Sequence, residues 1–320
     1  MSKSLKKRYN SEEAYVRGGT AWKQIKLHWQ CYLMLLPPFI VLILFSYWPM
    51  FGILIAFKNY RAVNGILGSP WAEPWYYYFR NFFGTRDFGR LLKNTLGISI
   101  YHLLAGFPFP IILALALNEC RNMRYRKVVQ MVTYSPYFIS TVILVSIITM
   151  LFSQKTGLVN NFIVKFGGER YPFLSEPKAF KHLYVWSGIW QGTGFSSVLY
   201  IAALAGVDPS LHEAAEIDGA SRLQQIFHVD IPGIMPTIII TLILNCGSVM
   251  SVGYEKVYLL QNTQNISTSD VFSTYIYRMG LQQAQYSLAT AVNLFNSVAN
   301  IIIITLVNWI ARRVGETSLW

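Results

Sequence analysis

The stretch Asp208-Pro-Ser-Leu-His-Glu-Ala-Ala-Glu-Ile-Asp-Gly-Ala-Ser-Arg-Leu-Gln-Gln-Ile-Phe-His-Val-Asp-Ile-Pro232 lies between two hydrophobic runs, and its reading decides the fold. Asp208 followed by Pro209 reads as an N-cap with proline at the first helical position. Ser210 with Glu213 three residues later offers an alternative capping box. Leu211, Ala214, Ala215 and Ile217 then make a compact surface with few bulky side chains, and Gly219 can take the positive φ that ends a helix. A second helix is expected from Ser221 to about Val229, stopped by Pro232. The product is a short helical elbow between two membrane crossings, where a soluble partner can grip a membrane protein.

The solvent of this chain follows from its composition. Of 320 residues, 53% are hydrophobic, 15% aromatic and only 13% charged, with a mean hydropathy of +0.35. Such a chain is too apolar for an ordinary soluble globule. Uncharged runs long enough to cross a hydrocarbon core of about 30 Å occur at Cys31 to Phe57, Asn94 to Asn118, Val128 to Ser153, Leu183 to Val207, Gly233 to Tyr254 and Tyr286 to Ala311. The expected fold is therefore all-α: a polytopic membrane protein of six transmembrane helices with a cytoplasmic helix-turn-helix. Six crossings place both termini on one side.

Three organisational units follow. Residues 1–30 form a basic arm in which Trp22, Ile25 and Trp29 fall at helical spacing, suggesting an interfacial helix. Residues 31–311 form the six-helix membrane domain, with its elbow at 207–232, and residues 312–320 form a tail. The hydrophobic run after Gln30 is too long for a signal-peptide core and reads as a retained first span. The loop Arg121-Asn-Met-Arg-Tyr-Arg-Lys127 carries four cations in seven residues, and Lys3, Lys6, Lys7 and Arg8 are similarly dense. Positive-inside reasoning then places the arm, this loop, the elbow and the tail on the cytoplasmic side of a multi-pass membrane protein in contact with lipid.

No catalytic constellation or metal site is expected. Cys31, Cys120 and Cys246 are far apart and form no metal-ligand spacing. The five histidines make no HExxH, and His102, within the second run, reads as packing. No GxxxxGK[ST] phosphate loop occurs, so the chain holds no ATP of its own. Pro37, Pro38 and Pro49 in the first run and Gly106, Pro108 and Pro110 in the second imply bent helices in a bundle. In the fourth run, Gly188 and Gly192 form a GxxxG spacing amid Ser187, Gly194, Ser196 and Ser197, a pattern suited to close helix approach.

At the elbow, Glu213, Ala214, Ala215, Gly219, Val229, Ile231 and Pro232, with Asp218, Ala220 and Pro236, resemble the signature loop of permease subunits of binding-protein-dependent ABC importers, in their carbohydrate-uptake branch. The opening His28-Trp-Gln-Cys-Tyr-Leu-Met-Leu-Leu-Pro-Pro38 and Phe45-Ser-Tyr-Trp-Pro-Met-Phe-Gly52 are similar to polysaccharide and oligosaccharide permeases. Tyr254-Glu-Lys-Val-Tyr-Leu-Leu260 and Thr274-Tyr-Ile-Tyr277 resemble maltose-type permeases.

The resemblance implies a subunit with no cofactor of its own. ATP and Mg²⁺ would sit in two cytoplasmic ATPases, coupled through Glu213, Ala214, Ala215, Asp218, Gly219, Ala220 and Pro232. It further implies a second homologous permease and an extracytoplasmic solute-binding protein, with an oligosaccharide as substrate and no nucleic-acid partner. Sugar recognition needs aromatic faces and amides or acids, and Trp190, Gln191, Asn245, Tyr254 and Glu255 offer them. Glu255 paired with Lys256 is the plain alternative for that acid. Asn293, Asn296 and Asn300 share a helical face and are expected to bond between helices. Outside segments carry 13 Lys and Arg against six acids, which suits an acidic oligosaccharide, an acidic binding-protein face or anionic lipid. The alternatives in function are a permease of the same family for a non-sugar solute and a secondary transporter.

Overall fold

A computed structural model describes residues 25, 26 and 28–314, the side chain of Val314 aside. Trp22 and most of the expected interfacial helix, with the tail beyond residue 314, lie outside the described residues. Contacts divide the chain into two units, residues 1–54 and 55–320. In the first, the helix Trp29–Leu42 runs through Pro37 and Pro38 and then widens into a π turn at Ile43–Tyr47. It buries none of its own residues within the protein, as suits a helix whose apolar surface meets lipid or another chain.

In the second unit, Arg86–Asn118, Arg222–Cys246 and Tyr286–Arg313 are each long and apolar enough to cross a membrane, as is Trp29–Phe57 at the start of the chain. The remaining two crossings are bent pairs, Met123–Phe138 with Thr141–Phe152 and Pro177–Leu204 with Pro209–Ile217. Among the described residues the secondary structure is helical, with one isolated bridge between Lys58 and Trp71.

The third crossing is not the single helix that the run Val128 to Ser153 suggested. It turns by 100° between Phe138 and Thr141. Pro136, which lacks an N–H, sits in a tight turn at Ser135–Phe138, and Ser140 is extended, its Oγ accepting the Ile143 N–H at 3.4 Å to start the next helix. Thr141–Phe152 has 12 residues, about 18 Å at 1.5 Å per residue, too short to cross alone.

Pro177–Leu204 is the central strut. Its 28 residues reach about 42 Å. The outer end is held by Phe180, packed with Ile98, Leu144 and Val257; the inner end by Tyr200 and Leu204, packed with Ala114 and Ile234. Of the small residues along it, Gly194 makes the close approach: a Cβ there would collide with the carbonyl of Thr133 and come within 2.9 Å of the Tyr134 nitrogen. Gly192, by contrast, faces open space.

The fifth span differs from expectation at both ends. Its helix runs unbroken from Arg222 through Pro232 and Pro236. A π turn at Ile226–Asp230, in which the Ile231 N–H reaches the Ile226 carbonyl, absorbs the register change where Pro232 cannot donate. The helix ends at Cys246 rather than Tyr254, and residues 247–253 turn the chain into a separate short helix, Tyr254–Leu260. Beyond it the outer segments are tied by a buried Asp270, bridged by Arg278 at 2.7 Å and Arg90 at 3.1 Å and bonded by the Thr274 hydroxyl at 3.0 Å. A buried carboxylate persists only with partners of this kind. Of the three asparagines expected to bond between helices, Asn300 bonds to the turn after the fifth span, accepting the Met250 N–H at 3.1 Å and donating to Ser251 at 2.8 Å, while the buried Asn296 Oδ1 has no hydrogen-bond partner among the described residues.

Candidate functional site

The elbow is shaped by local hydrogen bonds. Of the two possible starts, the structure takes Asp208, whose side chain accepts the Ser210 N–H at 2.9 Å, with Pro209 opening the helix Pro209–Ile217. That bond holds the Asp208 carboxyl below the usual carboxylate range. The helix closes in a Schellman motif: the Gly219 N–H reaches the Glu216 carbonyl at 3.1 Å and the Ala220 N–H the Ala215 carbonyl at 2.9 Å. Gly219 has φ +76° with nothing near a would-be Cβ, so backbone conformation and not space requires glycine there. The second arm opens with Ser221, whose N–H donates to Gln224 Oε1 at 2.7 Å.

One ion pair and one histidine–carboxylate contact attach the elbow to the membrane helices. Arg222 meets Glu119, just past the second span, at 3.5 Å, and His212 meets the buried Asp230 at 3.3 Å. Glu213, Ala214, Asp218, Gly219 and Pro232 are exposed, Ala215 and Ala220 half-buried. Leu211 and Ile217 stand out of the elbow, Ile217 being 86% exposed. The elbow thus exposes small residues, the acids Glu213, Glu216 and Asp218, and two outward aliphatic groups. Beside it a groove of about 620 Å³ is lined by Glu119, Arg121, His212, Glu216 and Arg222.

The five candidates for substrate contact do not form one group. Asn245 lines a cavity of about 580 Å³ between the second, fourth and fifth spans, with His102, Gly188, Gly192, Tyr200 and Thr241. A smaller cavity of about 240 Å³ adjoins it, sharing His102, Leu103 and Asn245 and adding Ser99, Tyr184, Ser248 and Ser251. Trp190 lines a different, apolar cleft of about 810 Å³ with Trp186, Ile148, Tyr171 and Phe173. Gln191 serves the fold: its Nε2 donates to the Ile139 carbonyl at 2.9 Å, where the bend of the third crossing frees that oxygen.

Tyr254 stacks on Tyr258 and packs against Tyr277, ring centroids 5.2 and 4.7 Å away, and desolvation with the Tyr277 hydroxyl pushes its own up to about 12. Glu255 is exposed and forms no ion pair with Lys256 or any other cation among the described residues. Lys256 turns the other way. Its Nζ donates to the Tyr184 carbonyl at 2.9 Å, lies 4.7 Å from the centre of the Tyr184 ring, and is lowered by burial to about 8.

His102 and Lys256 are the residues that sequence reasoning missed. His102 Nε2 and Lys256 Nζ converge on Gly188, each 3.3 Å from where its Cβ would lie. A lone histidine in an apolar run is the one signal that pointed here. Chemically, the cavity joins hydroxyls, an amide, an imidazole and a nearby ammonium, a set that binds polyols and anions.

Residues 106–316 match the family described as binding-protein-dependent transport system inner membrane component. Protein LplB of Bacillus subtilis (strain 168) is 44% identical over 289 residues, 90% of each chain. The polygalacturonan/rhamnogalacturonan transport system permease protein YteP of the same strain is 43% identical over 289 residues, 90% of this chain and 89% of that one. Among solved structures, a chain of a bacterial alginate ABC transporter, in complex with alginate pentasaccharide-bound periplasmic protein, matches with a TM-score of 0.85 at 41% identity, covering 93% of this chain and 99% of that one. The protein belongs to the inner-membrane permease components of binding-protein-dependent ABC importers, a transport subunit whose ATP is hydrolysed by a separate subunit.

Proposed function

We propose that this permease carries an acidic oligosaccharide, built from uronic-acid units, inward across the cytoplasmic membrane. The observation that carries the reading is identity above 40% over about nine-tenths of the chain to permeases named for polygalacturonan/rhamnogalacturonan and alginate transport. The cation excess of the outer segments agrees with it, since positive charge at the mouth raises the local concentration of an anionic solute.

In this reading the chain pairs with a second homologous permease, because one bundle presents one elbow and two ATPases need two. Each elbow, from Glu213 to Gly219 with Ala220 and Pro232 behind it, seats in a cleft on an ATPase, and closure of the ATPases around ATP and Mg²⁺ moves the elbow with its helices. A solute-binding protein delivers sugar to the outer segments, and both termini lie in the cytoplasm. Asn245 and Tyr254 remain the sugar-contact candidates of the original five, Asn245 for its place in the polar cavity and Tyr254 for its stacked aromatic surface.

Uptake by cells carrying the complete importer tests the substrate. Trigalacturonate uptake is expected to disappear on deletion of this permease while uptake of a neutral trisaccharide is untouched. Equal loss of both would remove the acidic preference.

A further inference from the structure

The cation beside the polar cavity has no carboxylate to answer it. Lys256 is half-buried and forms no ion pair among the described residues; Glu255, next to it in sequence, is exposed and also unpaired. An ammonium has three donors. One goes to the Tyr184 carbonyl at 2.9 Å and the Tyr184 ring faces the cation at 4.7 Å, but no oxygen or nitrogen acceptor meets the other two among the described residues. A charge withdrawn from water without an acid is costly, and a lysine needed only to hold Tyr184 would be better replaced by a neutral donor.

The surroundings say what would complete the site. Nζ lies against Gly188, a wall residue of the larger cavity, and the imidazole of His102 reaches the same point from the second span. His102 borders both cavities and makes no hydrogen bond among the described residues. Any side chain at Gly188 would fill the gap between the two nitrogens. Around them stand Asn245, Ser248 and Ser251, which offer amide and hydroxyl groups to a polyol. The ligand that supplies a carboxylate and hydroxyls together is a uronic-acid unit.

We propose that Lys256 and His102, meeting across Gly188, form a carboxylate-reading subsite on the translocation path. It rests on the acidic-oligosaccharide reading above. The site acts on charge: Lys256 pairs with the sugar carboxylate as the unit passes, and the neighbouring amide and hydroxyls bond its hydroxyls.

The complete importer, reconstituted with both permeases, its ATPases and its binding protein, provides the test. Its probes are trigalacturonate and the fully methyl-esterified trisaccharide, which keeps the hydroxyls and loses the charge. In Lys256→Met the acid-to-ester ratio of kcat/KM is expected to fall about tenfold from the wild-type ratio, the equivalent of 1.4 kcal/mol, and Lys256→Arg is expected to restore most of it. The binding protein's own preference is common to all variants and cancels.

An unchanged ratio in Lys256→Met overturns the subsite. Equal loss of acid and ester, with the ratio kept, also overturns it and points to a structural lysine or one paired with an acid of the companion permease. Failure of the wild-type importer to take up trigalacturonate at all overturns the substrate reading instead. Where the Met variant does not assemble or the ester is not delivered, a structure of the wild-type complex trapped with trigalacturonate decides. A carboxylate within hydrogen-bond reach of Nζ supports the subsite, and sugar bound in the cavity with its carboxylates elsewhere removes it.

Discussion

The elbow and the polar cavity around His102 are built on opposite plans. The bonds that shape the elbow join near neighbours, Asp208 to Ser210, Ala220 to Ala215, Ser221 to Gln224. The cavity joins His102, Gly188, Asn245 and Ser251, drawn from three spans and the turn after the last of them. A part held by local bonds keeps its shape when its surroundings move. A space enclosed by three helices changes shape when any one of them shifts. In the proposed function, the pairing of a rigid handle with a deformable chamber suits a subunit that receives motion at one place and changes affinity at another.

Gly219→Val is the strongest way to break this pairing. The position has φ +76°, and a β-branched residue held in that region costs on the order of 1–3 kcal/mol. The helix end is expected to rearrange and uptake to fall to background. The membrane bundle should still assemble with its companion, because nothing in the bundle leans on the Gly219 side of the turn. Co-purification of the permeases together with substrate-stimulated ATP hydrolysis measures both. Normal coupling in this variant would remove the elbow from the mechanism.

Gly188→Leu attacks the other side of the comparison. The new side chain enters the point where His102 and Lys256 meet, and at least tenfold loss of uptake is expected with the ATPases still bound. Retained uptake would show that the solute passes elsewhere. Gly194→Ala separates packing from conduction. Its Cβ meets the Thr133 backbone, overpacking of a kind that costs about 1–3 kcal/mol. A lower melting temperature of the complex is expected, with little change in substrate preference among the molecules that remain folded.

These contrasts also explain what could be read from the chain. Asp208, Pro209 and Gly219 act within a few residues, so their cap, first turn and positive φ were legible in the sequence, as were the apolar runs. The bend of the third crossing was less so: Pro136 and Ser140 mark it, but they sit inside an uninterrupted uncharged run and hydropathy passes over them. The end of the fifth span was passed over in the same way, because the turn at 247–253 carries no charge, although its two glycines and two serines are breaker residues. The continuation through Pro232 depended on a π turn, which no residue type announces. His102, Gly188 and Lys256 lie more than 60 residues apart in the chain, and their meeting is a product of helix packing alone. Trp190 and Gln191 were marked by their aromatic and amide chemistry, which says nothing of direction, and helix rotation turns one to an apolar cleft and the other to a backbone carbonyl.

The smallest expected effect concerns the cap of the elbow. Asp208→Asn keeps an oxygen to accept the Ser210 N–H and removes the charge, so any difference from wild type isolates the charge–helix interaction. The folded Asp208 carboxyl lies below its ordinary range, so its stabilising contribution is complete above the ordinary carboxylate value near about 4. It is lost as pH falls through the lower folded value. Thermal midpoints of the purified complex should therefore favour wild type slightly at neutral pH and converge with Asp208→Asn in acid. Because the group is fully exposed, salt should shrink the neutral-pH difference as well. Asp208→Ala, which loses the acceptor too, should lie below both at every pH. A gap between Asp and Asn that persists unchanged into acid would mean that the cap works through its hydrogen bond and that its charge is idle.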